Sequence, residues 1–276
     1  MPEGDTIFRT AATLDRALAG QLVTKFETQL PRLARVDEDH PIAGRTVDSA
    51  SASGKWLMLR FSDDLVLLTH MLMSGSWHIY RPGETWLKSR YHMRVVVTTA
   101  RIIAVAFDVQ VAEFHSEASL ARRKGFNQLG PDVLAADFDP AAATARLNHR
   151  PGLEIAVALL DQSIVAGLGN VYKSEVCFLA GVNPFKTTGE LAHAQIESLV
   201  SIARKLLRAN AGVASRDPIA AYTGFRRTTR RADPAENLWV YRRAGAPCRR
   251  CATPILSRKQ GPDARTTFWC PVCQPS

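Results

Sequence analysis

The order of apolar and polar positions divides the chain into stretches of different period. Ile7, Phe8, Ala11, Leu14 and Leu18 recur at helical spacing behind Asp5, a residue type that caps helices, and Gly20 marks a stop. From about residue 22 to 114 the period changes. Trp56-Leu57-Met58-Leu59-Arg60-Phe61, Leu65-Val66-Leu67-Leu68, Arg94-Val95-Val96-Val97-Thr98 and Ile102-Ile103-Ala104-Val105-Ala106-Phe107 are short apolar runs bounded by turn or polar residues. Runs of that kind predict strands, and several in succession predict a sandwich or barrel. A break near 125–131 precedes helical patterns at 140–148, 153–163, 171–180 and 192–209. In the last of these, Ile196, Leu199, Val200, Ala203, Leu206 and Leu207 share one face. Residues 213–237 are polar and basic without a period and read as a mobile loop.

Composition narrows the class. Hydrophobic residues make up 46% of the 276, enough for a real core, which excludes a disordered chain. No apolar run approaches the roughly 18–20 residues of a membrane span, and the acidic start Met1-Pro2-Glu3-Gly4-Asp5 is no secretory signal. A soluble intracellular protein is the expectation. The formal charge of +9 is unevenly placed. Residues 201–276 hold 15 Lys and Arg against four Asp and Glu, whereas the first 200 hold 20 against 22. A basic last quarter points to a polyanion, most simply nucleic acid; a solubilising basic tail is the bland alternative.

Four of the five cysteines form a pattern: Cys248 and Cys251, 18 intervening residues, then Cys270 and Cys273. Two CxxC knuckles aim four thiolates at one centre, the donor set of a closed, structural zinc site. Two disulfides are the alternative, disfavoured in a cysteine-poor intracellular chain. The fifth, Cys177, lies in an apolar helical pattern and reads as core. Residues 238–276 therefore read as a small metal-bound hairpin.

Three local features carry possible chemistry. Removal of Met1 would expose the secondary amine of Pro2, which is more often neutral near pH 7 than a lysine and can attack a carbonyl-like carbon. Glu3 beside it can move protons, although many ordinary chains begin Met-Pro. Ser53-Gly54-Lys55-Trp56 places a lysine at a turn that opens an apolar strand; an ordinary surface lysine fits equally. In Leu159 to Tyr172 a helix ends, Gly167 and Gly169 make tight turns and Asn170 caps the next helix. Such a corner either leaves backbone N–H groups free for a phosphate or is a plain connection.

Taken together, these motifs resemble the bacterial formamidopyrimidine-DNA glycosylase/endonuclease VIII family over essentially the whole length. Pro2-Glu3-Gly4 resembles its N-terminal signature and Ser53-Gly54-Lys55 its lysine turn. Leu160-Asp161-Gln162 through Gly167-Leu168-Gly169-Asn170 resembles its helix–two-turns–helix motif. Cys248 to Cys273, with Arg265-Thr266-Thr267-Phe268-Trp269-Cys270, resembles its zinc hairpin. The resemblance implies an α+β fold of two domains: an N-terminal β-sandwich with an N-terminal helix, and a C-terminal helical domain with the helix–two-turns–helix motif and a zinc-bound β-hairpin. The segments are 1–125, a linker at 126–135, 136–237 and 238–276. It further implies that Pro2 attacks C1′ of a damaged nucleoside to form a Schiff base. Glu3 would serve as general acid/base, Lys55 would hold phosphate and assist proton transfers, and Arg265 would assist the second elimination. Asn170 would bind phosphate and one structural Zn²⁺ would fill the cysteine site. The partner would be damaged double-stranded DNA, and the enzyme a monomer of the bacterial cytoplasm, associated with the nucleoid.

Within the family the sequence leans towards endonuclease VIII. The formamidopyrimidine branch fills the gap left by the flipped base with an Arg-Phe pair, absent from Asp108-Val109-Gln110-Val111-Ala112-Glu113-Phe114. The loop His70-Met71-Leu72-Met73-Ser74-Gly75 matches the second void-filling loop, with Leu72 and Met73 as candidate wedge residues or, alternatively, plain core. Gln128 stands where relatives contact DNA with Arg. Arg226 to Arg231 lies in the stretch that caps the lesion in some members, and either grips DNA or is a solvated loop. Oxidised pyrimidines such as thymine glycol are the implied substrates, with 8-oxoguanine as the alternative. A non-catalytic zinc-ribbon DNA-binding protein is the rival from another class; it explains the charge and the cysteines but not Pro2, Glu3 and Lys55 together. On charge, Arg249 and Arg250 are expected to grip the DNA backbone.

Overall fold

A computed structural model describes residues 2–212, 226–229, 231 and 233–276. Met1 and most of the loop expected across 213–237, including Arg230, lie outside the described residues. Two compact units divide at Asn127/Gln128. No described helix is long and apolar enough to cross a membrane.

The first unit is a β-sandwich with helices α1 (Gly4–Leu18) and α2 (Pro31–Asp39). One antiparallel sheet has the order β1-β6-β7-β5, built from β1 (Val23–Thr28), β5 (Ser76–Tyr80), β6 (Met93–Thr99) and β7 (Ile103–Phe107). The other has the order β2-β3-β4-β8, from β2 (Val47–Ser53), β3 (Trp56–Phe61), β4 (Leu65–His70) and β8 (Val111–His115). Leu57, Leu59, Leu67, Trp77, Val95, Val97, Ala104 and Ala106 are fully buried between them, joined by Ile7, Leu14 and Leu18 of α1. A short α3 (Glu117–Leu120) follows, its Ser116 hydroxyl capping the Ser119 N–H at 3.1 Å.

Helix α1 starts earlier than Asp5 would cap it. Glu3 is the cap residue, and its carbonyl accepts the N–H groups of Thr6 and Ile7 at 2.9 and 3.1 Å. Helix α2 stands inside the stretch expected to be all strand. Pro31 occupies its first turn, where a missing N–H costs nothing, and only Leu33 is buried, so its sequence shows no apolar stripe.

The second unit holds α4 (Pro140–Asn148), α5 (Ile155–Ala158), α6 (Asn170–Ala180), α7 (His193–Ala211) and the hairpin β9 (Leu256–Gln260) with β10 (Arg265–Trp269). Tyr172, Val176, Ile196, Leu199 and Leu207 centre its helical core. The helix expected over 153–163 is a single turn, because side chains out-compete the helical backbone after Leu160. Asp161 Oδ1 accepts the Ser163 N–H at 2.9 Å. Gln162 then staples two turns together: its Nε2 donates to the carbonyls of Leu160 and Leu168 at 2.8 and 3.0 Å, and its Oε1 accepts the Gly167 N–H at 3.1 Å. Gly167 is left-handed at φ +100, whereas Gly169 is extended and is itself the cap of α6. Asn170 is therefore the first helical residue and not the cap, with its side chain employed elsewhere.

Candidate functional site

The start of α1 and the lysine turn lie towards the same end of the first unit. Gly54 and Lys55 form the two-residue turn between β2 and β3, with Ser53 paired to Trp56. Gly54 has φ +57, the left-handed first position that such a turn requires. Helix α1 packs along β2 and is pinned where Asp15 Oδ1 accepts the Ala50 N–H at 2.8 Å. From Asp15 back to Gly4 the helix rises about 16.5 Å. From Ala50 forward to Ser53 the strand rises about 10 Å, and the Gly54-Lys55 turn closes it just beyond. Gly20 N–H bonding the Val47 carbonyl at 2.8 Å fixes the opposite direction of the two elements. Helix α1, with buried Glu3 as its cap, thus begins towards the end of the hairpin that carries half-buried Lys55.

Beside Lys55 lies a network that the motif reading left without a role. His70 meets the Trp56 ring edge-on at 4.7 Å. Arg123 lies over that indole, 4.2 Å from its centroid, and donates to both Glu113 oxygens at 2.8 and 3.0 Å. The Arg123 bonds hold Glu113 down at about 2, against burial and with help from His115. Burial, with Lys55 and Arg123 nearby, pushes His70 down to about 4, so its ring is neutral at pH 7. Only the i, i+2 spacing of His70 and Leu72 could have signalled this from sequence.

Leu72 and Met73 are not core. They are 36% and 64% exposed, on a loop whose neighbour Met71 is 2% exposed. The stretch lacking the Arg-Phe pair is β8 and its approach. Asp108, left-handed at φ +53, receives Lys88 Nζ at 2.9 Å and lies 2.7 Å from His92 Nδ1. Phe114 packs against Phe26 and Phe61 in the sandwich.

In the second unit, Asn170 Nδ2 donates to the Thr266 carbonyl at 3.1 Å, which places the start of α6 against β10 and next to exposed Arg265. Gln128 is exposed and lines a separate pocket of about 590 Å³ with Arg146, His149, Arg150 and Ser163. The three basic residues around it had drawn no attention in the sequence, being scattered among polar neighbours.

The four cysteine sulfurs all lie within 4.8 Å of one another, and none is in a disulfide. The separations of Cys251–Cys270, Cys251–Cys273 and Cys248–Cys273 are 3.4, 3.5 and 3.8 Å. A tetrahedron of Zn–S bonds gives about 3.8 Å between sulfurs, so this donor set fits Zn²⁺. Phe178, Val240 and Ile255 pack around the cluster. Glu175 of α6 anchors the approach to the hairpin, its carboxylate accepting the N–H groups of Trp239, Val240 and Tyr241 at 2.8–2.9 Å and the Thr228 hydroxyl.

Arg249 and Arg250, expected to grip DNA, both make contacts within the protein, although Arg250 is exposed. Arg249 is spent on the carbonyls of Leu238 and Ala235 at 3.1 and 2.8 Å. Arg250 lies 4.4 Å over the Phe178 ring and 5.3 Å over Trp239, and donates to the Phe178 carbonyl at 3.4 Å. A count of charges cannot distinguish such braces from an open basic face.

Comparison with known proteins agrees with the motifs. Residues 1–111 match the formamidopyrimidine-DNA glycosylase N-terminal domain, and residues 129–216 match the formamidopyrimidine-DNA glycosylase H2TH domain. The chain is 40% identical to the probable endonuclease 8 2 of Streptomyces coelicolor, over 99% of this chain and 94% of that one. It is 38% identical to the DNA-(apurinic or apyrimidinic site) lyase Nei2 of Mycolicibacterium smegmatis, over 99% of both. The Lactococcus lactis Fpg bound to abasic-site DNA superposes with a TM-score of 0.83 at 25% identity, covering 100% of each chain. The chain belongs to the formamidopyrimidine-DNA glycosylase/endonuclease VIII family.

Proposed function

We propose that this chain, a DNA glycosylase and abasic-site lyase of base-excision repair, excises oxidised pyrimidines through a Schiff base at Pro2 and cuts the strand by β,δ-elimination. The observation that supports the reading is that α1, which begins just after Pro2 and Glu3, is pinned along β2 and runs back towards the end of the hairpin that carries Lys55. With Met1 gone, the neutral Pro2 nitrogen attacks C1′. The C1′–base bond breaks, the base leaves with a proton, and the sugar ring opens to an iminium. Glu3 protonates the sugar-ring oxygen and exchanges protons during the later steps. Lys55 binds the adjacent phosphate and assists proton removal. Successive eliminations expel the 3′ and then the 5′ phosphate, and water releases Pro2.

In the second unit an amide carries two N–H donors. Asn170 gives one to Thr266, and the other serves a DNA phosphate at the α6 N-terminus. Gln128 donates to a more distant phosphate. Cys248, Cys251, Cys270 and Cys273 hold one structural Zn²⁺, whose chemistry is to fix the hairpin that presents Arg265. The enzyme acts as a monomer on duplex DNA in the cytoplasm. Leu72 and Met73 enter the stack in place of the extruded base, which lowers the cost of flipping of about a few kcal/mol.

A lesion panel tests the substrate class. Duplexes with thymine glycol, 8-oxoguanine or a preformed abasic site are assayed for base release and scission. Thymine glycol is expected to be released fastest; faster release of 8-oxoguanine would overturn the pyrimidine assignment. Arg265→Ala is expected to let β-elimination product accumulate and to reduce the salt slope of binding by about 1. Arg250→Ala, which removes a cation–π and hydrogen-bond brace on Phe178, is expected to lower stability and leave that slope alone.

A further inference from the structure

His70 closes β4, and its ring touches two loops at once. Its Nδ1 accepts the Leu72 N–H at 3.0 Å, and its edge meets Trp56, the residue after Lys55. Leu72 sits at φ +47. A leucine adopts that left-handed backbone only where its surroundings over-determine it. Three features do so here. His70 holds the amide. Met71 is anchored in the sandwich core. Gly75 closes the turn, its N–H bonding the Met71 carbonyl at 2.8 Å, and a Cβ there would stand 2.6 Å from that oxygen. The outcome is that Leu72 and Met73 face solvent while both flanks of the loop are fixed.

We propose that His70 is a positioning residue: by holding Leu72 left-handed it aims Leu72 and Met73 into the base stack, and through Trp56 it ties that wedge to the Lys55 turn. The inference rests on the wedge and Lys55 readings above and deepens them. Accepting the amide requires a neutral ring with its proton on Nε2, and burial beside Lys55 and Arg123 keeps the ring neutral. Trp56 is also held by Arg123, itself clamped by Glu113, so the indole is a fixed surface against which His70 is set. The bond runs from residue i to the N–H of i+2, the geometry of an Asx turn. Asparagine can therefore stand in for histidine here, its Oδ1 accepting the same amide, whereas leucine fills the space and accepts nothing.

The test is single-turnover base release from a thymine-glycol duplex by the full-length, metal-loaded chain, with 2-aminopurine opposite the lesion to report wedge insertion. His70→Leu is expected to be slower by roughly tenfold, the scale of one hydrogen bond that fixes a loop. His70→Asn is expected to recover to within about threefold. Met73→Ala is slow by itself, and adding His70→Leu to it is expected to cost less than about threefold more, because both act through one wedge. The 2-aminopurine signal should fall in His70→Leu and return in His70→Asn, which a merely structural defect would not produce. Equal slowing by His70→Leu and His70→Asn, or full multiplication with Met73→Ala, would overturn the proposal. Wedge variants that are slow while His70→Leu is not would also remove His70 alone. Leu72→Ala and Met73→Ala at full speed would sink the wedge and the proposal together, and absence of a borohydride adduct with the unaltered chain would sink the Schiff-base reading beneath both.

Discussion

A chain that keeps any residue ahead of Pro2 is expected to form no borohydride-trappable adduct on thymine-glycol or abasic-site DNA. The nucleophile in this reading is a secondary amine at the chain terminus, and an amide nitrogen in the same place has no lone pair to give. With Pro2 as the proposed nucleophile, processing at Met1 would decide whether the enzyme exists in active form. Intact mass should show the chain starting at Pro2, and a variant with a blocked start should bind damaged duplex with nearly normal affinity, since the phosphate contacts are untouched. Glu3→Gln separates the two functions of the terminus. Glu3 is buried, and its carbonyl begins α1, so glutamine, which keeps the shape, leaves the helix start in place. The amine remains, so a preformed abasic site should still give an adduct. Base release from thymine glycol, which needs proton transfer at the sugar, should fall on the order of 10²–10⁴-fold. An adduct from a chain with a blocked start would remove Pro2 from the mechanism. Unchanged base release by Glu3→Gln would remove Glu3 and leave Pro2 standing.

What could be read from the sequence follows from how locally each feature is determined. Strand β3 and helix α4 appear in their full extent because their apolar residues repeat within the element. Strand β2 was invisible: Val47-Asp48-Ser49-Ala50-Ser51-Ala52-Ser53 has no apolar run, and its place is set by pairing with β3 and by α1 packing across it. The same holds for α2, which buries one side chain. Of the site, the residues carried by motifs were recognisable and those defined by packing were not. Lys55 announces itself by its turn, whereas the Trp56–Arg123–Glu113 stack joins residues up to about seventy positions apart. The contacts of Arg249 and Arg250 within the protein have the same cause, since Phe178 and Leu238 come from other segments.

Removing the metal is the second large effect. Structural zinc contributes apparent binding free energy of about 10–16 kcal/mol, comparable with the roughly 5–15 kcal/mol that stabilises a whole domain. Here the ion would replace a core that the hairpin lacks. Beyond the sulfurs, the cluster is packed by Phe178, Val240, Ile255 and a few partly buried neighbours, while β9 is mostly exposed. Chelation, or Cys273→Ala, is therefore expected to unfold 238–276 and to lower duplex affinity by more than about 100-fold, because Arg265 and the Thr266 carbonyl that orients Asn170 disappear together. Thiol titration gives an independent readout. The loaded protein should contain one zinc by mass spectrometry and show no fast-reacting thiol. After chelation four should react. Cys177 should stay silent until the whole unit unfolds, since it is wholly buried and burial pushes its thiol up to about 12. Throughout this titration the Pro2 amine belongs to the other unit. An abasic oligonucleotide at high protein concentration should still be trapped by the metal-free chain, though slowly. Loss of trapping in step with loss of zinc would mean that the metal supports the chemistry directly, and undiminished duplex binding without it would mean that the hairpin is not the phosphate grip.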